Sequence, residues 1–121
     1  MAKNGSETMT FQQRGDVTVG VLQTTEITSK VNDALEARLK ELQKERPAVK
    51  LVLDLSKLDF LGSVGLSVLV VFLQRIKKNG GQLALTGLKG LCRDVMHVTG
   101  MEKAFQLFGD VPAAVDAMNQ P

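Results

Sequence analysis

The sequence predicts an α/β fold: one domain with a mixed, mostly parallel sheet of about five strands and about four helices. Three observations predict it. Segments in which apolar residues alternate or run unbroken take turns along the chain with segments of helical periodicity. Such alternation joins parallel strands through right-handed crossovers. Two strand-like segments precede the first helix, so the sheet begins with an antiparallel pair. No repeat and no linker interrupts the 121 residues, enough to bury one core without metal or disulfide.

Taken in order, residues 1–8 read as a loose tail and 9–121 as the domain. Residues 9–13 supply a short edge strand, and Arg14-Gly15-Asp16 turns it into a second. Val17, Val19 and Val21 alternate there with Thr18, Gly20 and Leu22, the period of a strand leaning on a core. Thr28 or Ser29 caps the first helix, whose apolar stripe is Val31, Leu35, Leu39 and Leu42, and Pro47 stops it. Residues 49–55 are apolar nearly throughout, as in a central strand. The second helix runs from Ser63 to about Asn79, where Asn79-Gly80-Gly81 is a stop signal. Residues 82–86 return as a strand. Residues 88–99 form a helix with Leu91, Val95 and Val98 inward, 104–107 a short strand, and 111–118 a closing helix with Pro112 in its first turn.

Composition removes several classes of function. A net charge of +2, with the basic residues dispersed, does not suggest nucleic acid. Neither Trp nor Tyr is present, so no base-stacking platform is visible. Cys92 is the one cysteine, which excludes an internal disulfide and fits a small core residue in a reducing compartment. The N-terminus lacks the apolar stretch of a signal peptide, and the longest apolar run, 64–73, is too short to insert in a membrane. The expected location is the cytoplasm.

The chain is organised around residues 54–66. The strand ending at Leu55 is followed by a turn, and the second helix then opens at Ser63, between Gly62 and Gly65. A helix N-terminus offers unpaired N–H groups and the positive end of the macrodipole. Ser63 could therefore serve as an ordinary cap or carry a phosphate. Enzymatic readings are weaker. Gly62-Ser63-Val64-Gly65 is neither a phosphate-cradling loop with its Lys nor a dinucleotide fingerprint. A hydrolase elbow would need glycine where Leu61 stands, and His97 is the single histidine. Asp54 could be a phosphoaspartate, but 23–26 hold one carboxylate where that chemistry needs an acidic pair. No metal-ligand spacing occurs. No catalytic residue and no cofactor is expected.

The second helix carries a further signal. Leu66, Leu69, Val70, Leu73 and Ile76 make one stripe spaced to face the sheet. Val64, Val68 and Val71 lie on the other side, with Phe72 on the flank, either covered by neighbouring helices or forming a partner surface.

Leu51-Val52-Leu53-Asp54-Leu55-Ser56 followed by Leu58-Asp59-Phe60-Leu61-Gly62-Ser63-Val64-Gly65-Leu66 resembles the signature of STAS domains, specifically bacterial anti-sigma factor antagonists. Asn79-Gly80-Gly81, the strand from Gln82, and the segments around 95–101, 105–108 and 113–115 extend the resemblance over nearly the whole chain from Val17 on. It implies a non-enzymatic partner-switching protein acting in signal transduction and transcription regulation. Ser63 would be the phosphoacceptor, Asp59, Phe60, Leu61, Gly62, Val64 and Gly65 the switch loop, and Glu26, Val68, Val71 and Phe72 the partner surface. The implied partners are an anti-sigma factor that is also a serine kinase, and a metal-dependent serine phosphatase that resets the phosphorylated form. Two departures stand out. The family usually has an acidic or second hydroxyl residue before the phosphoserine, where this chain has Gly62, and Val64 replaces the usual Ser or Ala after it. The turn after the second strand, typically Gly-x-Leu/Ile-Asp, is Gln23-Thr24-Thr25-Glu26-Ile27-Thr28, in which Glu26 is the candidate for the Asp. Two alternatives remain open: a STAS subunit or scaffold docking on a lipid-transport ABC ATPase or a stressosome-like assembly, and a nucleotide-binding protein or enzyme using the loop 59–65.

Overall fold

Local chemistry sets the first pair of strands. In the computed structural model, which describes residues 8–120, Gly15 adopts φ 62° at the turn between β1 (Met9–Arg14) and β2 (Val17–Leu22). The two pair antiparallel, Met9 opposite Leu22 and Arg14 opposite Val17. Gly20 faces Phe11 in this ladder. A Cβ at Gly20 would lie 2.9 Å from the Phe11 ring, so the glycine leaves room for an aromatic that fills the core from the neighbouring strand. Of the expected tail, residues 1–7 lie outside the described residues.

Each later strand is reached through a helix: α1 (Ser29–Glu45), β3 (Lys50–Asp54), α2 (Ser63–Lys78), β4 (Gln82–Thr86), α3 (Gly90–Val98), a single 3₁₀ turn at Met101–Lys103, β5 (Gln106–Phe108) and α4 (Val111–Met118). The sheet order is β1-β2-β3-β4-β5, with every pair after the first parallel. The mixed sheet and four helices agree with expectation. β3 is central, which explains why Leu51, Val52 and Leu53 are all buried and why no polar residue alternates with them.

The two sheet faces have separate cores. Leu51, Leu53, Leu83 and Leu85 meet Val31, Leu35 and Leu39 of α1, Leu69, Phe72 and Ile76 of α2, and Cys92 and Met96 of α3. Val17, Val19, Val52 and Ala84 meet Ala114, Val115 and Met118 of α4, with Val21, Phe108 and Val111 packed at the margin. Asp110 caps α4 by accepting from the Ala113 N–H at 2.9 Å, and Lys50 Nζ donates to the Met118 carbonyl at 2.9 Å near the helix end.

Two expectations near the C-terminus are corrected. α3 begins at Gly90, which like Gly87 before it has positive φ, and its inward residues are Cys92 and Met96. Leu91 and Val98 are 75% and 82% exposed, and Val95 is half-buried. The apolar stripe of the sequence turns toward solvent rather than the core, because the smaller Cys92 and the flexible Met96 take the inner positions. β5 starts at Gln106, since the 3₁₀ turn consumes residues 101–103 and Phe105 is buried as the plug before the strand.

Candidate functional site

The segment that follows Leu55, as far as Gly62, is held by two buried leucines. Leu58 and Leu61 sink into the core, while Asp59 and Phe60 between them turn to solvent. Backbone bonds then fasten the loop to its neighbours. Asp59 N and Phe60 N both donate to the Thr25 carbonyl, at 2.8 and 3.2 Å, and Leu55 N donates to the Thr86 carbonyl at 2.8 Å. Side chains add more: Lys57 donates to Gln23 Oε1, Lys89 to the Ser56 carbonyl, and Ser56 N to Asp54 Oδ1. The β2–α1 loop, carrying Glu26, is thereby fixed against the entry to α2.

Ser63 is the first residue of α2, and the cap position belongs to Gly62, whose φ of −105° and ψ of −168° are extended. No side chain caps this helix and no acidic residue occupies its first turn. The reading of Ser63 as an ordinary cap is therefore corrected: the residue is exposed and makes no cap bond. The positive helix end is left without an anionic partner in its own first turn. Packing, rather than capping, fixes the start of the helix. Gly65 is buried, and a Cβ there would stand 3.0 Å from Leu61 Cδ1 and 3.4 Å from Ile27 Cβ.

A cleft of about 280 Å³ opens beside this turn, lined by Glu26, Ile27, Thr28, Phe60, Gly62, Ser63, Val64 and Gly65. It brings together most of the residues singled out from the sequence. Glu26 is exposed at its edge, and Phe60 and Val64 are each 62% exposed. Asp59 and Leu61 flank the cleft without lining it, one exposed and one buried. Val68 is half-buried and Val71 is exposed one and two turns along α2. Phe72 is corrected: it is 1% exposed, three residues from Leu69 and four from Ile76, on the face that meets the sheet, and cannot contact a partner. Leu66 and Val70, expected inward, are half-buried at the margin. Arg75 of α2 pairs with Glu36 of α1 at 3.1 Å, joining the two helices below the cleft.

Sequence reasoning placed Ile27 and Thr28 in the altered turn but gave neither a role in the site, and both line the cleft. The available signal was a lone isoleucine in a polar loop, which is how a loop is pinned to a core. Under the same turn, Cys92 Sγ lies 3.6 Å from the Leu58 carbonyl. Burial pushes the thiol pKa up, the Asp59 carboxylate adds to the shift, and Lys89 opposes it. This thiol stays protonated and inert. Among the described residues, no group of three or more His, Cys, Asp or Glu is placed to hold a metal ion. No helix there is long and apolar enough to cross a membrane.

Comparison with known proteins accounts for this arrangement. Residues 9–114 match the family model of the STAS domain. The chain is 33% identical over 82 residues to the anti-sigma-F factor antagonist RsfB of Mycobacterium tuberculosis, a match spanning 68% of this chain and 66% of that protein. It is 32% identical over 85 residues to BtrV of Bordetella bronchiseptica, named for anti-sigma factor antagonism, over 70% of this chain and 72% of that protein. Among solved structures, an anti-sigma-factor antagonist (STAS) domain protein from Planctomyces limnophilus superposes with a TM-score of 0.77 at 25% identity, covering 93% of this chain and 98% of that one. A single sheet that starts antiparallel, a serine opening the helix after the central strand, and a family match across nearly every element agree on one conclusion: the chain belongs to the STAS domain family.

Proposed function

We propose that this protein is an anti-sigma factor antagonist of the bacterial cytoplasm, binding an anti-sigma factor that is also a serine kinase and leaving it when Ser63 is phosphorylated. One observation carries the reading. Ser63 is exposed at the lip of the cleft, at the start of an uncapped helix whose first turn holds no acid, in a chain about one third identical to named antagonists.

The physical consequence of phosphorylation differs between fold and interface. A phosphate brings about −1.5 to −2 charges at neutral pH. At the start of α2 it meets free N–H groups and the positive dipole end, so the fold tolerates it. In a complex it would lie among Phe60, Val64, Val68 and Val71, and covering these side chains would strip the dianion of water. Desolvating an unpaired charge costs several kcal/mol, which is about a hundredfold or more in affinity. Phosphorylation then acts on binding and leaves the domain folded, and a metal-dependent serine phosphatase returns it to the competent form. The protein's own part is recognition, with no catalytic residue assigned.

The test is a paired capture from lysate of the source organism, with wild-type protein and Ser63→Glu as baits. The reading expects wild type to retain an ATPase-fold serine kinase that the Glu variant does not, and the purified kinase to phosphorylate Ser63. Equal capture of one partner by both baits, such as a transport ATPase, would refute the switch.

A further inference from the structure

The ring of Phe60 lies across the backbone of Gly62. A Cβ built on Gly62 would stand 2.8 Å from both Cε2 and Cζ of that ring, and the three nearest atoms all belong to Phe60. Nothing in the backbone demands glycine at this position, because φ −105° with ψ −168° is open to any residue. The one consequence of a side chain at 62 is therefore to evict the ring. Phe60 itself is displayed rather than packed. The residue is 62% exposed, while its backbone is held by the bond to the Thr25 carbonyl at 3.2 Å and by the buried leucines at 58 and 61. A large aromatic side chain on a fixed backbone costs little entropy to bury, and such residues anchor protein interfaces.

We propose that Phe60 is the aromatic anchor of the partner interface and that Gly62 is its positioning residue, so that the pair selects an anti-sigma kinase offering an apolar recess for one phenyl ring beside Ser63. This rests on the function proposed above and names what discriminates among partners at that site. The space over the start of α2, where a side chain at 62 would meet the partner, is filled by an apolar ring. Val64, equally exposed on the first turn of α2, extends the apolar contact, and Glu26 across the cleft supplies a polar edge. A partner that reads a polar or acidic group at position 62 would find neither the group nor room for its own complementary charge without desolvation.

Gly62→Ala is an unusually clean probe, because it keeps Phe60 and adds only the methyl group that evicts the ring. The ring is exposed and free to swing, so the unfolding midpoint should be equal to or above that of wild type. The experiment measures calorimetric affinity for the kinase captured and purified on wild-type protein, against wild type, Phe60→Ala, Gly62→Ala and the double variant. The expected result is a loss of about 30-fold for Phe60→Ala, the effect of removing a buried aromatic anchor. A comparable loss is expected for Gly62→Ala, with the double variant within about twofold of Phe60→Ala alone, since two substitutions acting through one ring do not add. Phe60→Ala binding like wild type would overturn the anchor, and Gly62→Ala binding like wild type would overturn the positioning role. If wild type captures no kinase, the partner assignment itself falls and takes this inference with it.

Discussion

Replacing Ser63 separates the two roles that a helix start can give a serine. Ser63 is the first residue of α2 and its hydroxyl closes no cap bond. Removing it forfeits none of the ~1 kcal/mol that a true Ser cap supplies. With no acid in the first turn, a carboxylate introduced there meets an uncompensated helix end and gains about 0.3–1 kcal/mol. Ser63→Ala should therefore unfold within about 0.5 kcal/mol of wild type. Ser63→Glu should unfold up to about 1 kcal/mol above it, a gain that shrinks in molar salt as the field is screened. Urea unfolding followed by far-ultraviolet circular dichroism measures both, since the chain has no Trp or Tyr to report by fluorescence. Kinase affinity is the contrasting readout and should drop tenfold or more for the Glu variant, equivalent to about 1.4 kcal/mol. If either variant loses about 2 kcal/mol of unfolding stability, a loss of cap size, Ser63 is a structural residue. The separation of switch from fold would then be refuted.

Three other outcomes follow from the packing. Gly81→Ala should destabilise by about 2 kcal/mol or more in urea, because a Cβ there would stand 2.5 Å from the Val49 carbonyl oxygen and 3.0 Å from that of Ile76, neither of which can swing aside. Phe72→Ala should lose about 3–5 kcal/mol as a core truncation, whereas Val71→Ala, on the exposed side of the same turn, should change unfolding by about 0.5 kcal/mol or less. Cys92 should react with a thiol reagent far more slowly in the folded protein than in urea. Its folded pKa is raised, so above the ordinary value of 9.0 the folded state binds the extra proton, and stability present below that pH declines as pH rises past it. Cys92→Ala should flatten that alkaline decline in pH-dependent unfolding; an unchanged slope would exclude the thiol as its source.

The strand–helix order, the antiparallel start and the central strand were legible because period and punctuation agree there: valines alternate in β2, and glycines close α2. The site was half legible. Gly62, Ser63, Val64 and Gly65, singled out from the sequence together with Glu26, line one cleft with it. What failed was the choice of face on a helix with more apolar positions than its core can use. In α2 the bulk of Phe72 goes inward while Leu66 and Val70 stay at the margin, and in α3 Leu91 and Val98 stay outside while Cys92 and Met96 enter. Periodicity locates a stripe within about 100°; shape complementarity with the sheet decides which residues are spent on it. The contact of Phe60 with Gly62 had no sequence signal, since it depends on a side-chain direction in an irregular loop.

The uneven covering of the sheet has a consequence for how the chain is made. Every strand pairs with the one before it in sequence, so each can join a growing sheet as it leaves the ribosome. The face of Val17, Val19, Val52 and Ala84 follows a different schedule, because α4, residues 111–118, is the helix that covers it. Until α4 is free to fold, a nascent chain with a nearly complete sheet still shows a largely bare apolar side. Synthesis and exposure are thus coupled through α4. A chain stalled or clipped before α4 would carry its Ser63 cleft formed and its back uncovered, a species to be sought in aggregates and on chaperones rather than among misfolded monomers.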